Sequence, residues 1–148
     1  MTMEVTIDNI LYSDDKTLLQ LDVIHKYLST ESYWSKDIPF DIVKRAMEGS
    51  VCFAAYDKGK QIAYARVITD GDTFGYLADV FVLEPYRGKG ISKNLMKFIM
   101  NYPSFKGFRR FMLATKDAHS LYEKFGFKQM ATPDRFMEIK PFEEYNSK

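Results

Sequence analysis

The 148-residue chain has one cysteine and two histidines. A lone Cys52 excludes an intrachain disulfide framework and a multi-Cys zinc site. With only His25 and His119, a His-rich centre is excluded as well, so no metal ligand set is expected. No apolar run reaches the roughly 18 residues that span a bilayer. Residues Met1 to Asp8 lack the basic-then-apolar order of a secretory leader. These absences predict a soluble, cytoplasmic protein with no membrane partner. Internal repeats, low-complexity stretches and Pro/Gly/Ser linkers are missing too, which predicts one domain over residues 1–148.

What is present is a composition with a core: 46% of the residues are hydrophobic, too many for a disordered chain. Lys and Arg number 21 against 20 Asp and Glu, a net charge of +1. The balance is local as well as global in most chains, but not here. From Tyr86 to Lys128 there are 10 Lys or Arg and 2 acids, a charge of +8, and the remainder carries −7. A basic segment in an otherwise acidic chain points to a polyanionic ligand, although each lysine alone reads as solvated surface. Nucleic acid is not the expected partner, since the total is near neutral and no recognition motif is found.

Periodicity supplies the elements. Lys16 to Leu28 reads as an amphipathic helix, Ser29 to Ile38 as a looser segment, and Pro39 to Gly49 as a second helix with Pro opening and Gly closing it. Val51–Tyr56, Gln61–Thr69 and Tyr76–Leu83 read as strands joined by short turns, an antiparallel meander with Ile62, Tyr64, Arg66 and Ile68 on one face. Then follow a helix (Gly90–Tyr102), a strand (Phe108–Thr115), a short helix (Asp117–Phe125) stopped by Gly126, and a last strand (Arg135–Lys140). This order predicts a mixed α/β, or α+β, sheet rather than a regular doubly wound fold.

The chemistry concentrates where strand residues Val80-Phe81-Val82 feed the turn Tyr86-Arg87-Gly88-Lys89-Gly90 and the turn opens a helix at Ile91-Ser92-Lys93. Glycines permit positive φ and close backbone approach. The helix start offers free N–H groups and the positive end of its dipole. Together they predict a phosphate or pyrophosphate cradle, with Arg87, Lys89 and Lys93 adding charge. Neither a P-loop nor a dinucleotide fingerprint fits, because Gly90 lacks a following Lys-Ser/Thr and position 93 is Lys.

This stretch resembles the acetyl-CoA motif of the GNAT N-acetyltransferase superfamily, R/Q-x-x-G-x-G/A, with Ser92 at the final position. Ala118 to Phe127 is similar to the family's A-x-x-L-Y-E-K-x-G-F block, and element order matches from about Val5 to Lys140. The phrases Asp117-Ala118-His119, Ile24-His25 and Ser32-Tyr33-Trp34 resemble a bacterial subgroup. The resemblance implies a central, mostly antiparallel twisted sheet flanked by helices, with acetyl-CoA as acyl donor and an amine as acceptor.

It also implies roles. Backbone groups of Val80, Phe81 and Val82 would pair with the pantetheine arm and hold the oxyanion. Amides from Arg87 through Gly88, Lys89, Gly90, Ile91 and Ser92 to Lys93 would hold the pyrophosphate. Tyr122 would protonate the leaving thiolate, its rival reading being a core tyrosine. Where the family often has Asn, Thr115 stands as a weakened cofactor contact, or Asp117 replaces it; Asp117 otherwise reads as the N-cap of its helix. Asp79, His25, His119 and Glu31 are candidates for the base. Asp79 is also the expected ion-pair partner of Arg66, opposite it if the turn centres on Asp72-Thr73. Tyr33 and Trp34, with Asp79 and His119, are expected at the acceptor site, or else Tyr33 and Trp34 belong to the core. A small-molecule amine is the leading acceptor, a protein N-terminus or lysine the alternative, and a non-catalytic acyl-CoA-binding module the alternative of another class. A homodimer stays open beside a monomer.

Overall fold

The structure is a computed structural model and describes residues 2–147. It begins with a hairpin that hydrophobic pattern alone does not pick out. β1 (Glu4–Ile7) and β2 (Ile10–Ser13) turn at Asp8 and Asn9, whose φ values of 51° and 66° make the two-residue turn that suits strand twist. The expected helix from Lys16 is broken in two. Residues Lys16–Leu18 form a 3₁₀ turn, and α1 (Leu21–Thr30) starts only after Gln20. The cause is a reciprocal pair: the Gln20 N–H donates to Gln61 Oε1 at 2.7 Å and the Gln61 N–H to Gln20 Oε1 at 3.1 Å. Gln61 is fully buried, so its polar groups must be satisfied there, and this holds Gln20 extended. α2 (Phe40–Glu48) lies between Pro39 and Gly49 as expected.

β3 (Val51–Asp57), β4 (Lys60–Thr69) and β5 (Phe74–Val82) form the antiparallel meander. After α3 (Ile91–Met100), β6 (Arg110–Leu113) returns parallel to β5, the one neighbour relation here that needs a crossover. Its ends are shorter than the apolar run predicts, since Phe108 closes a 3₁₀ turn and Thr115 bonds the Ala118 N–H in the turn ahead of α4 (His119–Glu123). The six strands lie in the order of the sequence. This is the mixed sheet flanked by helices that the sequence predicts.

Two apolar layers hold it. On one face Ile91, Leu95, Met96, Phe98 and Ile99 of α3 meet Phe53, Ala63, Ala65, Val67 and Leu77 of the sheet. On the other face Ile24, Tyr27 and Leu28 of α1 and Val43 of α2 meet Cys52, Tyr64 and Phe81. Ile62 was expected on the face of Tyr64 but packs in the first layer. A register shift between Ala55 and Tyr56 leaves Ile62 as an extra residue on β4, and a bulge resets the alternation.

The expected last strand does not form. Residues Pro133–Arg135 make a 3₁₀ turn, and the chain beyond runs without a strand partner, with Met137 97% and Ile139 94% exposed. Alternation over Arg135–Lys140 is a strand signal only where an edge is in reach, and this turn carries the segment off the sheet. Among the described residues no helix is long and apolar enough to cross a membrane.

Candidate active site

Everything in the site follows from where β5 and β6 part. They pair from Phe74↔Arg110 to Leu77↔Leu113; there β6 ends, while β5 runs on to Val82. Past Leu77, β5 therefore has β4 on one side and a gap on the other. The Leu83 N–H bonds the Ile62 carbonyl, so by alternation Phe81 turns its backbone to β4, whereas Val80 and Val82 turn theirs to the gap. Of the three expected backbone positions, Phe81 is thus not a gap-facing one; its ring is buried and stacked on Tyr27 at 4.1 Å.

The parting is set by a bulge. Arg66 stands opposite Ala78 and Tyr64 opposite Phe81, so β5 carries one extra residue there. Asp79 occupies it with φ 56°, a left-handed conformation that costs a non-glycine residue about 1–2 kcal/mol. The direct opposition of Arg66 and Asp79 is therefore off by one residue, yet the ion pair itself forms. Arg66 Nε donates to Asp79 Oδ2 at 2.6 Å, and its Nη1 to Ser50 Oγ at 3.0 Å. The other oxygen, Oδ1, accepts the Trp34 indole N–H at 2.8 Å. Both carboxylate oxygens are engaged, so Asp79 acts in the geometry by fixing Arg66 and Trp34.

Trp34 belongs to a loop that straddles the gap. Next to it, Tyr33 packs edge-on at 5.1 Å and its hydroxyl accepts the Lys116 backbone N–H at 3.2 Å, with Lys116 Nζ 5.2 Å from the ring centre. One end of the loop is fastened to β5 at Asp79, the other to the segment after β6. Tyr33 and Trp34 are 55% and 39% exposed, so they are not core.

At the lower end of the gap lies the cradle. Gly88 and Gly90 both have φ 78°, and a Cβ on either would meet nothing within 4 Å; glycine is required there by backbone conformation rather than by crowding. Gly90 is the N-cap of α3 and offers no side chain to its first N–H groups, while the Asn94 N–H is the one that bonds Gly90. Uncapped amides at Ile91, Ser92 and Lys93, with Lys89 and Lys93 exposed beside them, fit a pyrophosphate. Arg87 does not aim outward. Its Nε donates to the Val82 carbonyl at 3.0 Å and its Nη2 to Tyr27 Oη at 2.9 Å, tying the cradle to α1.

The far wall is α4. Thr115 Oγ1 accepts the Ala118 N–H at 3.0 Å, closing a turn just ahead of α4; Ala118, not the expected Asp117, holds the N-cap position, and it supplies no side-chain cap bond. Tyr122 is buried at 8% exposure, and burial first, then the neighbouring Tyr33 and Asp117, pushes its phenol up to about 12. Thr115, His119 and Tyr122 also line a cavity of about 1040 Å³ whose lining includes β6 from Arg110 to Leu113 and no residue of β5. The structure does not bring His25 to this wall. Its Nε2 is 3.0 Å from the Ile38 carbonyl and its ring meets Phe40 edge-on at 5.4 Å, a clamp between α1 and α2. Glu31 follows the last residue of α1 and is exposed. Tyr27 and Lys116 are the site residues that sequence reasoning missed. Tyr27 shares the buried stripe of α1 with Ile24, which was the available signal; nothing local marks Lys116.

A sheet that parts between two parallel strands, above an uncapped helix start and beside a buried phenol, defines an acyltransferase. The chain belongs to the Acetyltransferase (GNAT) family, whose model matches residues 21–127. A Gibberella zeae protein named as an acetyltransferase candidate is 33% identical over 134 residues, covering 77% of this chain and 76% of its own. A GNAT-family crystal structure from Xanthomonas campestris pv. campestris superposes with TM-score 0.88 at 46% identity, covering 90% of this chain and 94% of that one. A Clostridium acetobutylicum structure solved with acetyl-CoA shares the fold at TM-score 0.64 and 19% identity, covering 95% and 96%.

Two outcomes follow. Asp79→Ala leaves Arg66 with no carboxylate in a site where only 17% of its side chain is exposed. It should cost about 3–5 kcal/mol in urea unfolding, and adding Arg66→Met should restore most of that. The second concerns alkali. Tyr102 and Tyr122 are both pushed up to about 12 by burial first, above the ordinary phenol, so the unfolded chain releases these protons at lower pH than the folded one. Stability should be level up to about pH 10 and fall from there towards pH 12, read as urea midpoints.

Proposed function

We propose that the protein transfers the acetyl group of acetyl-CoA to the primary amine of a small molecule, by direct attack of the amine with both substrates bound. The observation that carries this reading is the continuity of gap and cradle: the backbone of Val80 and Val82, which has no strand partner on the β6 side, leads to the uncapped amides of α3. An extended pantetheine arm would add to β5 as a strand adds to a sheet edge, while the Gly88 to Lys93 amides hold the pyrophosphate. An N–H of Val80 or Val82 would face the thioester carbonyl, where negative charge develops on oxygen.

Tyr122 supplies a neutral phenol at the leaving sulfur. Because its proton is held up to about 12 and a thiol ionises near 8.5, outright donation runs uphill. Tyr122 then acts by passing its proton to sulfur as it receives the one the attacking nitrogen loses on forming the amide, so no tyrosinate accumulates; the other proton, which the ammonium form of the acceptor must shed before attack, goes to the base. Among the residues weighed as base, exposed His119 is the one on the Tyr122 wall, and we assign it to take the amine proton through water. Asp79 positions Trp34 over the acceptor's path. A strap fastened on both sides of the gap narrows its mouth, which favours a small amine over a protein chain. Buried free Cys52 accords with a reducing, cytoplasmic setting.

Millimolar CoA should raise the Tm by several degrees, since it binds only the native state. Gly90→Val, which puts a β-branched residue at φ 78°, should abolish the shift; a wild-type protein that CoA leaves unmoved would remove the donor assignment. Tyr122→Phe should lower kcat by about 10²-fold or more with the CoA shift retained. Equal turnover in an amine-panel assay would make Tyr122 a packing residue, and turnover absent from the wild type as well would favour the non-catalytic acyl-CoA module.

A further inference from the structure

Helices cover the second face of the sheet only in part. On β4, Ala65 and Val67 face α3, so Arg66 and Ile68 point to the side of α1 and α2. On β5, Leu77 faces α3 and Tyr76 the other way; on β6, Leu113 faces α3 and Met112 the other way. Ile68 stands opposite Tyr76, and Tyr76 is the partner of Met112, so the three side chains form a row across three strands. α1 and α2 pack on Cys52 and Tyr64, but the row belongs to neither apolar layer. Ile68 is 42% exposed, and Tyr76 and Met112 are half-buried.

This row lies at the foot of the gap. Pairing of β5 with β6 ends one residue further on, at Leu77↔Leu113. Trp34 stands over the same face, because the Asp79 carboxylate that accepts its indole N–H at 2.8 Å is bonded to Arg66. We propose that Ile68, Tyr76 and Met112 are the floor for the body of the acceptor, and that the acceptor is an amine with a flat aromatic ring a short link from its nitrogen. The inference rests on the acetyl-transfer reading and adds to it what the amine is attached to. From Ala78, where the strands have parted, back to Tyr76 the strand covers about 7 Å, the reach of a ring two carbons from an amine held at the gap. Neighbouring strands are about 5 Å apart, so the row is wide and flat enough for one ring. Tyr76 offers that ring an aromatic partner, and Met112 a polarizable sulfur for its edge. A polyhydroxylated body would find only apolar surface at Ile68 and Met112.

Two measurements on the full chain test this. Calorimetric titration with 2-phenylethylamine reads binding without turnover. Acetyl transfer to 2-phenylethylamine, hexylamine and glucosamine reads preference. The aromatic amine should bind saturably, and its kcat/KM should exceed that of hexylamine about fivefold or more, with glucosamine lower still. Tyr76→Ala and, separately, Ile68→Ser at the exposed end of the row should lower kcat/KM for 2-phenylethylamine through KM, bringing it down to that of hexylamine; urea midpoints check that both variants fold. A purely structural role would lower all three amines alike. The proposal is overturned if 2-phenylethylamine does not bind, if hexylamine or glucosamine is used as well as it is, or if both variants leave the ratio unchanged. Binding that Tyr76→Ala removes, with no amine turned over by the wild type, would retire the acetyl-transfer reading and leave the ring site standing.

Discussion

The ion pair between Arg66 and Asp79 is the constraint on which the rest hangs. A left-handed aspartate in a strand is unfavourable by itself, and the 2.6 Å contact with Arg66 is what holds it there. With Asp79 in place, β5 takes one residue more than β4 and turns the backbone of Val80 and Val82 away from any strand partner. A continuous six-strand sheet would have no room for a ligand between β5 and β6. One bulged residue, pinned by one charge, stands just where the seam between β5 and β6 opens.

The same seam is crossed twice by ties from α1. On the cradle side Arg87 reaches Tyr27, which stacks on Phe81; on the mouth side the Tyr33-Trp34 loop is fastened to Lys116 and Asp79. The glycine loop and the Tyr33-Trp34 loop are therefore both tied to α1 or to the residues that directly follow it.

What could be read from the sequence was what depends on neighbours along the chain. The β3–β5 meander, α2 between Pro39 and Gly49, and the Gly88–Gly90 cradle each rest on local turn or cap chemistry. The first hairpin was hidden because Asp8-Asn9 adopts positive φ without a glycine to announce it. The one-residue slip at Asp79 was hidden because a bulge is settled by a distant arginine. Arg87 and Tyr27 are 60 residues apart, and Tyr33 and Lys116 are 83 apart, so no window of sequence shows either tie. Arg135–Lys140 shows the opposite limit: the alternation is genuine, but a strand exists only in a pair, and a pattern cannot supply the second member.

The sheet's order has a kinetic side. Three of the five pairings close as hairpins, β1 with β2, β3 with β4 and β4 with β5. β2 with β3 must close across residues 14–50, which hold α1 and α2, and β5 with β6 across residues 83–109, which hold α3. Non-local pairing incurs loop-closure entropy before any contact rewards it. The β3–β5 meander is thus the natural nucleus, and the seam between β5 and β6 is made after it. A newly folding chain would assemble the meander before its site.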